Sequence, residues 1–272
     1  RNRALPVRCV SNHSTAIVTN LSASQTANSY MVHRSGYYKF KATVRGNGVG
    51  SLLPLGGTTT AEINGGLSTT ISPSKVDFLW WQGDFTKVTG DASDIDNMLP
   101  MQILNNGELD SEGYVMFYVG KYHEGNVGLA AYDVDGEILW SWHIWLNDAV
   151  DCQIGGIVFL DRNLGAFSTT LGASGENGCF WQWGRKEPIP ASMKGMTVCY
   201  NKKQSYDFAV ANPMTFLSRN SRWMDVEPAE SWCKEGRKTM FDPCPPGYCV
   251  PVYEDIILIK AQGIKDGFVK AG

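Results

Sequence analysis

The residues best suited to bind a ligand lie in one short run of the second half of the chain. Trp181-Gln182-Trp183-Gly184-Arg185-Lys186 places two indoles on one face and a basic pair directly after a glycine. Trp and Arg are the side chains most often found at the energetic centre of binding interfaces. Trp181, Trp183 and Arg185, together with Trp223, are therefore candidate ligand-binding residues. The alternative is that the indoles form a core and that Arg185 packs over a ring as a cation–π partner.

Motifs that would support catalysis are not found in the sequence. The four histidines have no matching Ser or Cys motif, and the G-x-S-x-G, H-E-x-x-H and P-loop patterns do not occur. Carboxylates such as Glu227, Glu230 and Glu254 are present. Their spacing does not show that two of them face each other at the separation that a glycosidase needs. The sequence predicts a protein that catalyses no reaction.

Metal binding has no motif support either. Asp91, Asp94 and Asp96 lie close together but lack the regular spacing and final Glu of a calcium loop, which favours a solvated loop. The seven cysteines contain no C-x-x-C pair, so thiols and disulfides of an exported protein are favoured over zinc ligands. Asp161 and Arg162 are predicted to form an internal ion pair at a turn. No metal or other cofactor is predicted, and calcium is left as an option without a motif.

Charge and hydropathy exclude two classes of partner. The 272 residues carry 24 basic and 27 acidic side chains, for a net charge of −3, so nothing provides the positive field that nucleic acid needs. The longest apolar runs, such as residues 256–259, are far shorter than the ~20 residues of a membrane helix. The sequence therefore predicts neither nucleic acid nor a membrane span as a partner of this chain.

The elements that must position these residues are mostly strands. Residues 1–26 are predicted to be a short strand, residues 4–10, followed by a polar linker. Residues 27–150 alternate strands with turns, as an antiparallel β-sandwich does. Arg34-Ser35-Gly36 predicts a hairpin between residues 29–32 and 37–44, and Asp135-Gly136 is the strongest hairpin turn in the chain.

Two further segments have distinct patterns. Trp140, Trp142, His143 and Trp145 make a strand apolar on both faces, which favours a central core strand over a sugar-binding platform. Residues 151–272 have shorter strands and longer loops, and residues 252–262 are the only predicted helix there. This second part is predicted to be small, loop-rich and mixed α+β.

Five phrases of the sequence carry a family resemblance. They are Ala27-Asn28-Ser29-Tyr30-Met31-Val32 with Gly36-Tyr37-Tyr38-Lys39-Phe40; Ile138-Leu139-Trp140-Ser141-Trp142-His143-Ile144-Trp145; Leu160-Asp161-Arg162-Asn163-Leu164-Gly165-Ala166; Trp181-Gln182-Trp183-Gly184-Arg185-Lys186-Glu187-Pro188; and Asp242-Pro243-Cys244-Pro245-Pro246-Gly247-Tyr248-Cys249-Val250-Pro251. In this order they resemble exported surface and fimbria-associated proteins of Bacteroidetes-type bacteria. The last three resemble the Fibrobacter succinogenes major paralogous domain.

The resemblance implies a fold for the second part. Its closing Cys-Pro-Pro-Gly phrase is similar to a segment of the formylglycine-generating-enzyme group, which implies a C-type-lectin-like fold over residues 151–272. No match to that group's catalytic cysteine pair is present, so its activity is not carried over. If residues 4–10 fold onto the second part, the resemblance also implies a disulfide between Cys9 and Cys244.

Two departures from the family pattern bear on the ends of the second part. The phrase Pro6-Val7-Arg8-Cys9-Val10 stands at the start of this chain, whereas the family has a similar phrase at its end. Residues 4–10 either end a preceding tandem domain or close the second domain, which would otherwise be incomplete. Cys249 stands where the family more often has a basic residue.

These observations together predict a non-catalytic protein located outside the cell or on the outer-membrane surface. We expect an adhesion protein, or an accessory or tip subunit of a surface fibre, which recognises a protein or a glycan through loops of its second part. Fibre subunits are a further expected partner, with residues 4–10 adding as a strand to a neighbour's sheet. The alternatives are a carbohydrate-active outer-membrane accessory protein, with Trp181, Trp183 and Trp223 lining its groove, and a stalk module of a longer adhesin.

Overall fold

The computed structural model describes residues 17–47, 67–83, 101–120, 123–170, 172–173, 175–190, 196–200, 202–218, 223–224, 232–234 and 237–261. Within these ranges the chain is mainly β, as the sequence predicts, with several sheets and few helices. The predicted strand over residues 4–10, the candidate Cys9 and the acidic group at residues 91–96 lie outside the described residues.

Sixteen strands, two α-helices and a short 3₁₀ helix (Asn105–Gly107) are found in these ranges. The strands of the first half are β1 (Val18–Asn20), β2 (Ser29–Val32), β3 (Gly36–Lys41), β4 (Lys75–Gly83), β5 (Met101–Ile103), β6 (Tyr114–Val119), β7 (Gly125–Tyr132) and β8 (Ile138–Leu146). Those that follow are β9 (Asp151–Ile154), β10 (Ile157–Leu160), β11 (Phe180–Trp181), β12 (Pro188–Ile189), β13 (Thr197–Tyr200), β14 (Thr215–Ser218), β15 (Cys233–Lys234) and β16 (Arg237–Lys238). The helices are α1 (Tyr206–Ala211) and α2 (Tyr253–Ala261).

The first half of the chain forms two four-stranded sheets, in the orders β1-β3-β6-β5 and β2-β8-β7-β4. Their side chains meet in one hydrophobic cluster, in which the Phe40 ring lies 5.0 Å from Tyr30 and 5.1 Å from Trp142. Each sheet is mixed, because β1 pairs with β3, and β2 with β8, in parallel. The expectation of purely antiparallel sheets is therefore wrong for one strand pair in each sheet.

Local turn chemistry predicts one hairpin correctly. β7 and β8 pair antiparallel through Asp135-Gly136, where Gly136 has a φ of 86° that a side chain would disfavour. The Asp133 carboxylate accepts hydrogen bonds from the backbone N–H groups of Asp135, at 2.9 Å, and Glu137, at 2.8 Å. This connection is stabilised within itself, which is why its sequence suffices to predict it.

The other predicted hairpin is wrong. β2 and β3 do not pair with each other, since β2 lies beside β8 in one sheet and β3 lies between β1 and β6 in the other. The 33–35 connection carries the chain from one sheet to the next. Tyr30 and Val32 of β2 are fully buried, so its position beside the apolar β8 removes more surface from water than a local hairpin would.

Strand β8 is the central core strand that its composition predicts. Trp140, Trp142 and Ile144 face the cluster shared by the two sheets. On the other face, Trp145 donates a hydrogen bond from Nε1 to the Ala166 carbonyl at 3.0 Å. The sequence after residue 150 therefore covers the outer face of this sheet.

The second half is built from two-stranded pieces and loops, and it holds a helix that the sequence analysis missed. α1 begins after Ser205, whose side chain accepts from the Phe208 N–H at 3.2 Å, and its residues Ala209 and Val210 are buried. The predicted helix over residues 252–262 is found as α2. The division of the chain at residue 150 stays a prediction.

Candidate functional site

An apolar cleft of about 400 Å³ lies between the β9–β10 hairpin and the 242–251 loop. Its walls are mainly aliphatic, aromatic and proline side chains. They are Ile157, Val158, Phe159, Leu160, Arg162, Asn163, Leu164, Trp181, Trp232, Pro243, Cys244, Pro245, Gly247, Tyr248, Cys249, Val250, Pro251 and Asp255. Concave apolar sites with few polar groups are the usual form of ligand pockets in proteins.

Two indoles on the cleft wall are held in place by their ring nitrogens. Trp181 donates from Nε1 to the Lys186 carbonyl at 3.2 Å, and Trp232 donates to the Arg185 carbonyl at 2.9 Å. Trp183 lies outside the cleft, with its ring 4.9 Å from Trp232 and 56% of its surface exposed. The cleft therefore has a rigid aromatic wall with a further indole beside it.

The polar end of the cleft is an ion pair rather than a free charge. Arg162 contacts the Asp161 carboxylate at 2.8 Å and the Asp148 carboxylate at 2.7 Å, which confirms the predicted Asp161–Arg162 pair. The hydrogen bond from Arg162 holds the pKa of Asp161 below its usual value, although burial opposes it. Because Arg162 is already paired with two carboxylates, it is not free to bind an anionic ligand.

The 242–251 loop is tied to the opposite wall. Tyr248 donates a hydrogen bond to the carboxylate of Asp151 at the start of β9. Partial burial, together with the adjacent Asp151 charge, raises the pKa of Tyr248 to about 12, so the phenol keeps its proton at neutral pH. The 242–251 loop and strand β9 are therefore joined by a hydrogen bond from a neutral phenol to a carboxylate.

Helix α2 adds an exposed apolar surface at the edge of the cleft. Asp255 lies on the cleft wall, while Tyr253, Ile257 and Leu258 expose 71%, 46% and 50% of their surface. Exposed apolar patches that adjoin a cleft mark sites of protein interaction. Helix α2 therefore contacts the cleft through Asp255 and carries exposed apolar side chains close to it.

Two of the four candidate binding residues are buried elsewhere. Arg185 is 2% exposed, and its guanidinium contacts Glu187 at 3.1 Å, Gln182 at 2.8 Å and the Thr215 carbonyl at 2.8 Å. It lies 5.8 Å from the centre of the Trp223 ring, which is 6% exposed. This is the core arrangement weighed as the alternative above, and it favours a structural role for both. Ligand binding by Trp181 and Trp183 stays a prediction.

The predicted Cys9–Cys244 disulfide is not tested, because Cys9 lies outside the described residues. Cys244 carries a thiol on the cleft wall, and burial raises its pKa well above the usual value. No disulfide joins cysteines within the described ranges. Cys244 is therefore protonated at neutral pH and is no nucleophile there.

A Ser–His–Asn arrangement, which sequence reasoning missed, lies beneath the cleft. Ser29 Oγ is 3.1 Å from His143 Nδ1, and His143 Nε2 is 2.8 Å from Asn126 Oδ1. The Ser29 hydroxyl donates to the Pro243 carbonyl at 2.6 Å. His143 and Asn126 are fully buried, and Ser29 is 1% exposed. Burial also lowers the pKa of His143 to about 3. The arrangement connects the sheet to the 242–251 loop and is out of reach of a substrate.

No protein-family model, curated protein or solved structure matches the chain. Across the parts of the chain that the structure describes, no three His, Cys, Asp or Glu side chains are grouped as metal ligands. None of the helices in those parts is long and apolar enough to cross a membrane.

Proposed function

We propose that this protein is a non-catalytic binding protein of a bacterial cell surface, an adhesion protein or an accessory or tip subunit of a surface fibre. In this proposal the two four-stranded sheets form a β-sandwich that supports a C-type-lectin-like second part. The family resemblance of the five sequence phrases supports the location outside the cell or on the outer-membrane surface. The cleft supports the binding role.

The observation that carries the proposal is the apolar lining of the cleft, with exposed apolar residues of α2 nearby. The wall residues Val158 and Trp181 offer dispersion contacts rather than charges, and Arg162, the one cation among the described lining residues, is already paired. Such a surface fits an apolar segment of a protein partner better than a sugar, whose hydroxyls need many hydrogen-bond partners. We therefore propose a protein segment as the ligand.

The experiment is a selection of displayed random peptides against the intact chain, run beside a panel of immobilised glycans. The expected result is a set of apolar, aromatic-rich peptides that bind the wild-type protein. Val158→Asp places a charge on the cleft wall and should weaken binding at least about tenfold. Val134→Asp, at an 88% exposed turn position away from the cleft, should leave binding unchanged.

Two other results would contradict this proposal. If peptides from the selection bind Val158→Asp as tightly as wild type, the cleft is not their site. If the chain binds glycans and no peptides, and Trp181→Ala abolishes that binding, the carbohydrate-binding alternative replaces the proposal. The exposed indole of Trp183 beside Trp232 is the observation that keeps that alternative in the test.

Assembly by strand addition is a separate proposal that rests on sequence alone. Residues 4–10 are apolar and of β type, and a polar linker follows them. Deleting residues 1–10 should abolish assembly or lower the melting temperature. Unchanged assembly together with unchanged melting would refute it.

A further inference from the structure

Lys238 is a buried cation surrounded by oxygens of a single loop. Its Nζ donates hydrogen bonds to the backbone carbonyls of Pro245, at 2.8 Å, and Tyr248, at 2.9 Å, and to that of Cys244. A carboxylate oxygen of Asp242 lies 3.7 Å away. The Lys238 side chain is 8% exposed and that of Asp242 is 0% exposed. All three N–H donors of the ammonium thus have a carbonyl acceptor.

Asp242 holds the same loop through the opposite kind of backbone group. Its Oδ1 accepts from the Cys244 N–H at 2.7 Å, and its Oδ2 accepts from the Val250 N–H at 2.9 Å. The 242–250 segment therefore turns its carbonyls toward a cation and two of its N–H groups toward an anion. Asn28 fixes the base of the segment by donating from Nδ2 to the Asp242 carbonyl at 2.9 Å.

We propose that the 242–250 segment is a cation-binding loop whose resident cation is the ammonium of Lys238, and that it takes ammonium or potassium when this side chain is removed. Three neutral carbonyls and one carboxylate provide a net charge that one monovalent cation balances. Carbonyl oxygens are also the ligands by which proteins bind K⁺. Calcium is disfavoured, because a divalent ion is usually held by several carboxylates and, among the described residues, this site offers only that of Asp242.

Lys238 is thus a positioning residue for the cleft. Cys244, Pro245, Tyr248 and Val250 belong both to this loop and to the cleft wall. The cation site does not depend on what the cleft binds, so it stands or fails separately from the proposed function.

The test is whether added monovalent cations restore the stability of Lys238→Ala, with the melting temperature as the measurement. The variant should melt below wild type in sodium chloride, and ammonium or potassium chloride at equal ionic strength should restore at least half of the loss. Tetramethylammonium, which is too large for the carbonyl cage, should restore nothing. Lys75→Ala, which removes a half-exposed lysine on the first half's β4, is the control and should respond equally to all the salts.

Equal responses of Lys238→Ala to tetramethylammonium and to ammonium, or no response to either, would overturn the inference. A second measurement applies if this variant does not fold. In the wild-type chain labelled with ¹⁵N-lysine, the ammonium of Lys238 should give a slowly exchanging Nζ–H signal, because its protons are bonded to carbonyls. Assignment of Lys238 to the rapidly exchanging signals of exposed lysines would contradict the cage.

Discussion

Replacing Lys186 by Met should destabilise the protein more than any exposed charge removal. The Lys186 ammonium is buried beneath the outer face of β8, where it donates to the Ser141 hydroxyl at 2.7 Å and to the Ser141 carbonyl at 3.0 Å. It also pairs with Glu187 at 2.9 Å and lies 4.2 Å from the centre of the Trp140 ring. Removing one partner of a buried ion pair costs about 3–5 kcal/mol.

The neighbouring contacts place the effect at the lower end of this range. Arg185 still contacts the Glu187 carboxylate at 3.1 Å, so the buried anion keeps one cation when Lys186 is removed. We therefore expect Lys186→Met to lose about 3 kcal/mol of unfolding free energy. For a chain of this size that corresponds to a fall of roughly 6–12 °C in melting temperature.

Urea unfolding followed by tryptophan fluorescence measures this loss, with Lys75→Met as the matched control. Lys75 pairs with Asp77 at 3.2 Å, but both side chains are half exposed, and such a pair contributes about 0–1 kcal/mol. A loss for Lys186→Met within about 1 kcal/mol of the control would refute the assignment of a buried ionic clamp.

The same pair of proteins gives a pH dependence whose sign follows from the pKa of Lys186. Burial lowers this pKa to about 8, against the opposing charge of Glu187, whereas the unfolded chain titrates near ~10.4. Between these values the unfolded state holds the proton that the folded state has lost, so stability rises with pH and is lost as pH falls through 8. The wild-type advantage over Lys186→Met should therefore grow as pH rises from about 7 to about 9.5. A constant difference across this window would show that the pKa is not lowered.

Three further predictions concern other contacts of the fold, each read by urea unfolding. Asn28→Ala should lose at least about 2 kcal/mol of unfolding free energy, because the Asn28 amide forms hydrogen bonds with two buried carbonyls and one indole N–H. A loss under about 0.5 kcal/mol would contradict this. Gly46→Ala should destabilise the protein far more than Gly136→Ala. The added Cβ would lie 2.1 Å from a backbone carbonyl oxygen at position 46, whereas it would meet open space at position 136. Equal losses of unfolding free energy would contradict the close packing around Gly46. Because Arg162 lowers the pKa of Asp161, wild type should lose stability more steeply than Asp161→Asn as pH falls below about 4. If the unfolding free energies of the two proteins fall equally over this pH range, the Asp161–Arg162 pair does not stabilise the fold.

Sequence patterns predict the strands of the first half well because those signals are local. The Asp135-Gly136 hairpin and the buried β8 follow from turn chemistry and from apolar composition alone. The pairing of β2 with β8 is not predictable in this way, because it joins Ser29 to His143 across a long stretch of chain. Local spacing predicted a hairpin between β2 and β3. The free energy gained by burying β2 beside the apolar β8 outweighs the local preference for that hairpin.

The candidate site shows the same limit. Trp181 lies on the cleft wall, where its role in binding stays a prediction, whereas Arg185 is enclosed by backbone carbonyls and by Glu187. Sequence cannot distinguish a basic residue that awaits a ligand from one whose partners come from a distant helix and strand. The 242–251 loop is one of the five phrases on which the resemblance rests, yet its place on the cleft wall depends on β10 and Trp232, which only the tertiary structure brings to it.

Site-specific photo-crosslinking can show whether a protein segment binds in the apolar cleft. A benzophenone amino acid is introduced by Val158→p-benzoylphenylalanine on the cleft wall and, as a control, by Val134→p-benzoylphenylalanine at the exposed β7–β8 turn. A peptide recovered by selection should cross-link from position 158 and not from position 134, and excess unlabelled peptide should abolish the product. Cross-linking that is equal at both positions, or that occurs from position 134 alone, would show that the peptide does not bind in the cleft.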